Sequence, residues 1–159
     1  MSNSFSGLEM LKIAMLMEDE GYKFYKNGAN NTSGKLKEFL LSAAKQEFLH
    51  KEKFEKLYEQ LETKDEASSE YLYDEDVSNY LKAIIENQVY KNDDEEYKNA
   101  FVDLKTAVKN SYDTEVRTVE IYTELYKGIT DEEAKKIMSV IINEEKDHIA
   151  YFEKLLKEI

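Results

Sequence analysis

The stretch EEKDHIAYFEKL, residues 144–155, contains one of only two histidines in a chain of 159 residues. In it, His148 follows Glu145 by three positions, and an apolar segment comes directly afterwards. The second histidine, His50, has the same setting in QEFLHKEKFEKL, residues 46–57, where a glutamate again lies three positions before it. Both stretches end in Phe-Glu-Lys-Leu. The chain therefore places each of its histidines in the same local Glu-x-x-His pattern.

The composition favours a helical protein and excludes several classes of site. Proline is absent, glycine is scarce, and the good helix formers Glu, Lys, Leu and Ala are plentiful. The net charge of -12 argues against nucleic-acid and anionic membrane partners. The absence of cysteine excludes disulfides, iron–sulfur clusters and zinc–thiolate sites. With neither a basic leader nor an apolar run of membrane-spanning length, we expect one cytoplasmic domain over residues 1–159.

Apolar residues recur at helical spacing in four long segments, two of which start at a capping box. The predicted helices run from Ser6 into the loop at 27–34, from about Lys35 to Glu62, from near Asp103 to Gly128, and from Thr130 to the C-terminus. The predicted core positions are Leu11, Ala14, Met15, Tyr22 and Tyr25 in the first helix, Leu36, Phe39, Leu40, Ala43, Phe54, Leu57 and Leu61 in the second, Leu104, Val108, Ser111, Tyr122 and Leu125 in the third, and Ile137, Val140, Ile141, Phe152 and Leu155 in the fourth.

The connection between the second and third helices, residues 63–102, is long and acidic. Its amphipathic segment Val77–Tyr90 predicts a short extra helix. Two short loops and one long crossover are typical of a four-helix bundle built from two helix pairs. We therefore predict an all-α four-helix bundle whose crossover lets the third helix start at the far end.

Charged residues fill a gap in each apolar stripe. Residues three and four positions apart share one face of a helix, so these side chains should point into the core. Four buried carboxylates repel one another unless they are protonated, paired with cations or bound to metal. No Lys or Arg occupies an inward position, although Arg117 is near in sequence. The inward charged residues are Glu18, Glu47, His50, Glu115, Glu145 and His148.

These six residues form an internal repeat. An offset of 98 positions maps one Glu-x-x-His onto the other, and an offset of 97 maps Glu18 onto Glu115. A tyrosine, Tyr25 or Tyr122, follows each of the latter glutamates by seven positions. Each half supplies one Glu and one Glu-x-x-His, which is the di-iron carboxylate arrangement of four-helix bundles. The repeat therefore predicts a pseudo-twofold site for two metal ions.

The passages MEDEGYKFY, residues 17–25, and NEEKDHIAYFEKL, residues 143–155, resemble the first and last helix motifs of rubrerythrins, di-iron proteins of the ferritin-like superfamily. The resemblance covers nearly all of the chain and implies a single ferritin-like, rubrerythrin-type domain over residues 1–159. It implies two iron ions as cofactor, with manganese or a mixed pair as alternatives. By resemblance, the ligands and catalytic residues are Glu18, Glu47, His50, Glu115, Glu145 and His148, with Glu47 and Glu115 or their counterparts bridging in some redox states.

Two departures from the family pattern bear on function. Full-length rubrerythrins carry a rubredoxin-like domain with four cysteines, and this sequence has no cysteine. We therefore expect an external electron donor such as a rubredoxin-type protein. Thr118 stands where rubrerythrins have an additional glutamate, one turn after the first ligand of the third helix. That carboxylate helps the family's iron to move between ligands, so its absence weakens the prediction of efficient peroxide reduction.

Three functions are compatible with the pattern. The first is a non-haem di-iron oxidoreductase that reduces hydrogen peroxide or dioxygen. The second is a ferroxidase or iron-handling protein, against which the second Glu-x-x-His argues because ferritins differ there. The third is a metal-stabilised bundle without turnover. A hollow shell would favour storage, whereas the resemblance implies a homodimer.

The sequence leaves several roles open. Glu144 rivals Glu145 as the partner of His148, although the repeat favours Glu145. Tyr25 and Tyr122 either fill the core, or hydrogen-bond to ligand carboxylates and protect against oxidation. Three aspartates are expected to be surface charges, with orientation of an imidazole as the alternative. They are Asp19, Asp113 and Asp147.

Overall fold

The computed structural model describes residues 7–64, 100–127 and 132–159, and these residues are almost entirely helical. The four helices are α1 (Gly7–Asn30), α2 (Gly34–Lys64), α3 (Leu104–Lys127) and α4 (Glu132–Glu158). The predicted all-α four-helix bundle is confirmed. Several predicted features lie outside the described residues, namely the helix at Val77–Tyr90, the capping residues Ser6 and Thr130, the helix end at Gly128 and the side chain of Leu125.

The described helix ends have local causes. The first helix ends at Asn30, inside the predicted loop, where the Thr32 hydroxyl donates to the Gly28 carbonyl at 2.9 Å. The second begins at Gly34, whose φ of 68° is a left-handed conformation that glycine adopts without strain. The carboxylate of Asp103 accepts a 2.7 Å hydrogen bond from the Thr106 backbone N–H and so caps α3. That hydrogen bond holds the pKa of Asp103 below its usual value.

Buried apolar side chains form two clusters. The methionine-rich cluster consists of Leu8, Met10, Leu11, Ile13, Ala14, Met17, Phe54, Tyr58, Tyr122, Met138 and Ile141. The alanine-rich cluster consists of Tyr25, Ala29, Leu40, Ala43, Ala44, Ala100, Phe101 and Ala107. On each helix, the charged residues of the predicted site lie between a segment at the methionine-rich end and a segment at the alanine-rich end. Together they form a charged layer that separates the two apolar clusters.

Cluster membership gives the direction of each helix. The first helix runs from the methionine-rich to the alanine-rich cluster, whereas α2 and α3 run the opposite way. The last helix runs parallel to α1, because its Phe152 ring packs 5.9 Å from Phe39 at the alanine-rich end. The second helix therefore ends at the opposite end from the start of α3, which requires the long crossover that the sequence predicts. Contacts of α1 with α2 and α4, and of α3 with α4 and α2, close the bundle.

The predicted core positions that the structure describes are buried or partly buried, except Val140, for which the prediction is wrong. Its side chain is 44% exposed, and Met138 is fully buried instead. Consecutive residues of a helix are about 100° apart around its axis, so a neighbour of the buried Ile141 can face solvent. On α1, Met15 is only partly buried, and Met17 takes the deeper position.

Candidate metal centre

The charged layer brings together all six residues that the sequence singled out. Each of the four helices contributes one glutamate, and each of these glutamates is at most 3% exposed. His148 on α4 is also buried, whereas His50 on α2 is partly exposed and lies at the edge of the layer. The glutamates are Glu18, Glu47, Glu115 and Glu145. Helical periodicity alone places them here, because each lies within the inward stripe of its helix.

The two imidazoles face shared carboxylates. The Nδ1 atom of His50 lies 3.7 Å from Glu18 Oε1 and 3.8 Å from Glu145 Oε1. The Nδ1 atom of His148 lies 3.5 Å from Glu115 Oε1 and 3.7 Å from Glu145 Oε2. These N–O distances exceed ordinary hydrogen-bond lengths, so the imidazole nitrogens and carboxylate oxygens converge without forming hydrogen bonds with one another. A cation placed among them could contact several at once.

Five converging atoms have no hydrogen-bond partner among the described residues. They are Glu18 Oε2, Glu115 Oε1, Glu145 Oε1, His50 Nδ1 and His148 Nδ1. Buried polar atoms in folded proteins are nearly always paired, so such a concentration indicates a ligand. Possible metal-ligand atoms form two groups, and within each group all atoms lie within 4.8 Å of one another. One group comes from His50, Glu145 and His148, and the other from Glu47, Glu115 and His148. The residues present therefore fit metal ions held by oxygen and nitrogen.

The electrostatics of the layer favour protons or cations. Burial raises the pKa of Glu18, Glu47 and Glu115 well above the usual value, and the charges of neighbouring glutamates add to this effect. Burial opposes the ionised form of Glu145 as well, but contacts with Glu18 and His50 outweigh it and hold the pKa of Glu145 low. Without metal, the layer therefore favours the protonated forms of Glu18, Glu47 and Glu115, whereas Glu145 ionises most readily. Divalent cations can replace those protons.

The family model described as Rubrerythrin matches residues 9–156. The chain belongs to the rubrerythrin family. No curated protein and no solved structure matches it. Rubrerythrins bind di-iron centres, and the described part of this chain has two possible metal-ligand groups, whose residues come from α2, α3 and α4. Among the described helices of this rubrerythrin, none is long and apolar enough to cross a membrane.

The two histidines of this rubrerythrin have different surroundings. Burial lowers the pKa of His50, but the carboxylates of Glu145, Glu47 and Glu144 outweigh burial and raise it overall. Burial also lowers the pKa of His148, and the nearby charge of His50 adds to that effect, so the pKa of His148 is lowered. The edge histidine is thus the better proton acceptor of the two.

Glu144 lies on the outer side of the layer. Its Oε2 atom is 3.5 Å from His50 Nε2, and its other carboxylate oxygen pairs with Lys53. Its neighbour Glu145 is 1% exposed and faces His148, as the repeat predicts. Glu144 therefore sits behind an imidazole, where a carboxylate can orient a metal-binding histidine.

The remaining charged residues near the layer pair with lysines or face solvent. Asp19 lies 3.0 Å from Lys51 and so links α1 to α2. Asp113, which is partly exposed, lies 3.0 Å from Lys109, and Asp147 and Arg117 are exposed. Among the described residues, Glu20 is a further buried carboxylate that the sequence pattern did not predict; it is 7% exposed and 4.0 Å from Lys23. Its spacing from Glu18 places it on another face, so no signal of periodicity could find it.

The two repeated tyrosines are fully buried in the core. Tyr122 belongs to the methionine-rich cluster and Tyr25 to the alanine-rich cluster, so one lies on each side of the layer. Burial, followed by the charges of the glutamates, raises the pKa of both. Within the described part of the chain, neither hydroxyl completes a hydrogen bond, although Tyr25 lies near the Ser111 hydroxyl, which donates to the Ala107 carbonyl at 2.8 Å.

Thr118 is buried on α3, one turn beyond Glu115. Its hydroxyl donates to the Thr114 carbonyl at 3.0 Å, so it is satisfied by its own helix. The position that holds an additional glutamate in other rubrerythrins therefore supplies no carboxylate here.

Proposed function

We propose that this chain is a non-haem di-iron oxidoreductase that reduces hydrogen peroxide, or dioxygen, with electrons from an external donor. The observation that supports it most directly is the convergence of unpaired carboxylate and imidazole atoms in a buried layer. The proposed metal ligands, and with them the catalytic residues, are Glu18, Glu47, His50, Glu115, Glu145 and His148. Membership of the rubrerythrin family supports iron as the metal and a cytoplasmic location.

The proposed reaction balances as a two-electron reduction. When bound, two ferrous ions supply the two electrons, so that one peroxide and two protons give two waters. The chain's own residues hold and surround the reacting pair. The four carboxylates offset the charge of two divalent cations, and the two imidazoles supply neutral nitrogen donors. The apolar clusters on both sides keep bulk water from the layer.

The external donor is a small electron-transfer protein of the rubredoxin type. This part of the proposal rests on the absence of cysteine, which leaves the chain without a rubredoxin-like centre of its own. The donor must return two electrons for each peroxide reduced. A one-electron carrier would therefore react twice in each cycle.

The kinetics of peroxide consumption test the proposed function. Protein reconstituted with ferrous iron without oxygen should oxidise on mixing with hydrogen peroxide, consuming about one peroxide per two irons. Free ferrous iron at the same concentration is the reference. Oxidation no faster than the reference contradicts an oxidoreductase, and binding of iron without oxidation would favour a metal-stabilised bundle.

A ferroxidase or iron-handling protein is the second candidate, and Thr118 is the observation that favours it. The site lacks the additional carboxylate with which rubrerythrins reduce peroxide. Repeated addition of ferrous iron in air distinguishes the two functions. An iron-handling protein should retain or transfer many irons per chain, whereas an oxidoreductase should keep about two.

A gain-of-function variant separates the candidates further. Thr118→Glu supplies a carboxylate at the divergent position, and Thr118→Gln matches its size without its charge. If the missing carboxylate limits peroxide reduction, Thr118→Glu should oxidise with peroxide at least about tenfold faster than wild type, which corresponds to 1.4 kcal/mol of barrier. Thr118→Gln should not. Equal rates of oxidation by peroxide in the two variants would show that the missing carboxylate does not limit peroxide reduction.

A further inference from the structure

The charged layer meets solvent at the edge where His50 lies. The His50 side chain is 13% exposed, whereas the four glutamates of the layer are at most 3% exposed. The two nitrogens of its ring face opposite ways. Nδ1 approaches Glu18 and Glu145 inside the layer, and Nε2 lies 3.5 Å from Glu144 Oε2 outside it. The imidazole therefore stands between buried carboxylates and a carboxylate that solvent reaches, because the Glu144 side chain is 27% exposed.

Lys53 covers this outer carboxylate. Its ammonium group contacts Glu144 Oε1, so one oxygen of Glu144 faces Lys53 and the other faces His50. The Lys53 side chain is 50% exposed, and ion pairs between exposed side chains contribute little to stability. A divalent cation carries twice the charge of an ammonium group and can displace it at small cost. The pair can thus open while the buried layer stays in place.

The other half of the internal repeat has different residues at these two positions. The offset of 98 that relates the Glu-x-x-His motifs maps Gln46 onto Glu144 and Lys53 onto Tyr151. An amide and a phenol have no charge in their ordinary forms with which to attract or compete with a cation. Both halves therefore supply ligands, but the charged pair at the edge comes with one half alone. This difference favours a role for Glu144 and Lys53 that the second half does not need.

We propose that Glu144 and His50 Nε2 form a transit site through which divalent cations enter the layer, and that Lys53 is its gate. The proposal rests on the metal centre of the proposed function, which must be filled from solvent. The net charge of -12 draws cations toward the protein. Behind the His50 ring, Glu18 Oε2 and Glu145 Oε1 have no hydrogen-bond partner among the described residues. A cation that displaces Lys53 therefore moves from one carboxylate and one imidazole to a set of buried ligands that is richer in oxygen.

The rate of metal uptake tests the transit site. Rapid mixing of metal-free protein with excess Co²⁺, whose visible absorption changes on binding, gives the association rate. Glu144→Gln should slow association at least about tenfold, because charge at the mouth of a site changes association rates by that factor or more. Glu153→Gln removes the same charge from an exposed position of α4, where it pairs with Lys157, and should have little effect.

The gate makes the opposite prediction. Lys53→Gln should speed association by roughly two- to fivefold, the factor that corresponds to the loss of an exposed ion pair. Lys56→Gln removes the same charge from an exposed position of α2, about one turn further along, and should not. If Lys53 only braced Glu144 against His50, its removal would instead slow uptake or weaken binding.

The rates also separate this proposal from simpler roles. If Glu144→Gln binds Co²⁺ as fast as Glu153→Gln and only releases it faster, Glu144 orients His50 and the transit site is overturned. Equal rates in Lys53→Gln and Lys56→Gln would overturn the gate. Wild-type protein that binds about two Co²⁺ per chain at rates that none of these variants alters would overturn the transit site and leave the proposed function intact. Wild-type protein that binds none would overturn both.

Discussion

The imidazole rings of His50 and His148 stack with their centroids 4.2 Å apart and their planes 13° apart. They come from corresponding positions of the internal repeat, on α2 and α4, and their Nδ1 atoms both approach Glu145. The approach of His50 to Glu18 matches the approach of His148 to Glu115, as the repeat predicts, whereas the shared contact with Glu145 departs from it. Two imidazolium rings at this distance would repel each other, and burial together with the charge of His50 lowers the pKa of His148, which favours its neutral form.

Glu145 and Glu144 form a matched pair for a test of the ligands. Glu145→Gln removes a buried charge that faces both histidines, so we expect iron bound after anaerobic reconstitution to fall from about two per chain to one or fewer. Glu144→Gln removes a charge outside the layer and should keep the stoichiometry while weakening affinity by roughly 10–100-fold. Metal analysis after desalting measures both. Equal loss in the two variants would contradict the inward assignment of Glu145.

The histidines permit a second test of metal binding, because the chain has only two. The double variant His50→Ala, His148→Ala should lose all stoichiometric iron while remaining helical by circular dichroism. If the wild-type protein and the double variant both stay folded without binding iron, the repeated Glu-x-x-His has a structural role only. The oxidoreductase proposal would then fail before any substrate is tried.

The metal-free protein should lose stability as pH rises. Because the pKa values of Glu18, Glu47 and Glu115 are raised in the folded state, the native chain binds more protons than the unfolded chain above the usual value near 4.5. Their contribution to the free energy of unfolding is fully present below that value and is lost as pH rises through the folded-state pKa values. We expect the free energy of unfolding of chelator-treated protein to fall as pH rises from about 5 to about 8. Urea denaturation at several pH values measures it.

Metal and an isosteric variant are the controls for this pH dependence. Bound cations should flatten it, because they replace the protons. Glu115→Gln should also flatten it and should stabilise the metal-free chain by roughly 1–3 kcal/mol at pH 8, since an uncompensated buried charge is removed. An unchanged slope in Glu115→Gln would mean that another group causes the pH dependence.

Tyr122→Phe distinguishes the two roles left open for the buried tyrosines. The Tyr122 hydroxyl has no hydrogen-bond partner among the described residues, so its removal from metal-free protein should leave stability unchanged or raise it by about 1 kcal/mol. The melting temperature of chelator-treated protein measures this. A loss above about 1 kcal/mol would indicate that the hydroxyl donates to a carboxylate of the layer.

Gly28 is required where α1 meets Phe101. A Cβ atom at Gly28 would lie 2.5 Å from the Phe101 ring, so Gly28→Ala should destabilise the protein by about 1–3 kcal/mol. Phe101→Leu replaces the ring with a shorter side chain that lacks the Cε and Cζ atoms, so it should reduce that penalty in the double variant. Gly34→Ala meets no atoms within 4 Å and tests backbone strain alone at φ +68°. Additive effects of Gly28→Ala and Phe101→Leu in denaturation would show that they do not act through contact.

Periodicity determined much of this protein before any tertiary contact was known. The four helices, the long crossover and the six charged residues follow from local spacing, because a helix places every third or fourth residue on one face. The burial of Glu18, Glu115 and Tyr25 could be predicted in the same way. The repeat also distinguished Glu145 from Glu144, because the partner motif at Glu47 supplies the register.

Tertiary structure decided the features that depend on how each helix is rotated about its axis relative to its neighbours. Sequence spacing could not show that Val140 faces solvent, that Glu20 is buried, or that two histidines 98 positions apart stack. The same is true of Phe48 and Leu49, which cluster with Tyr22 on the outer surface. The physical reason is that periodicity defines a face of a helix but not its rotation against the other helices. That rotation is set by packing among residues far apart in the chain.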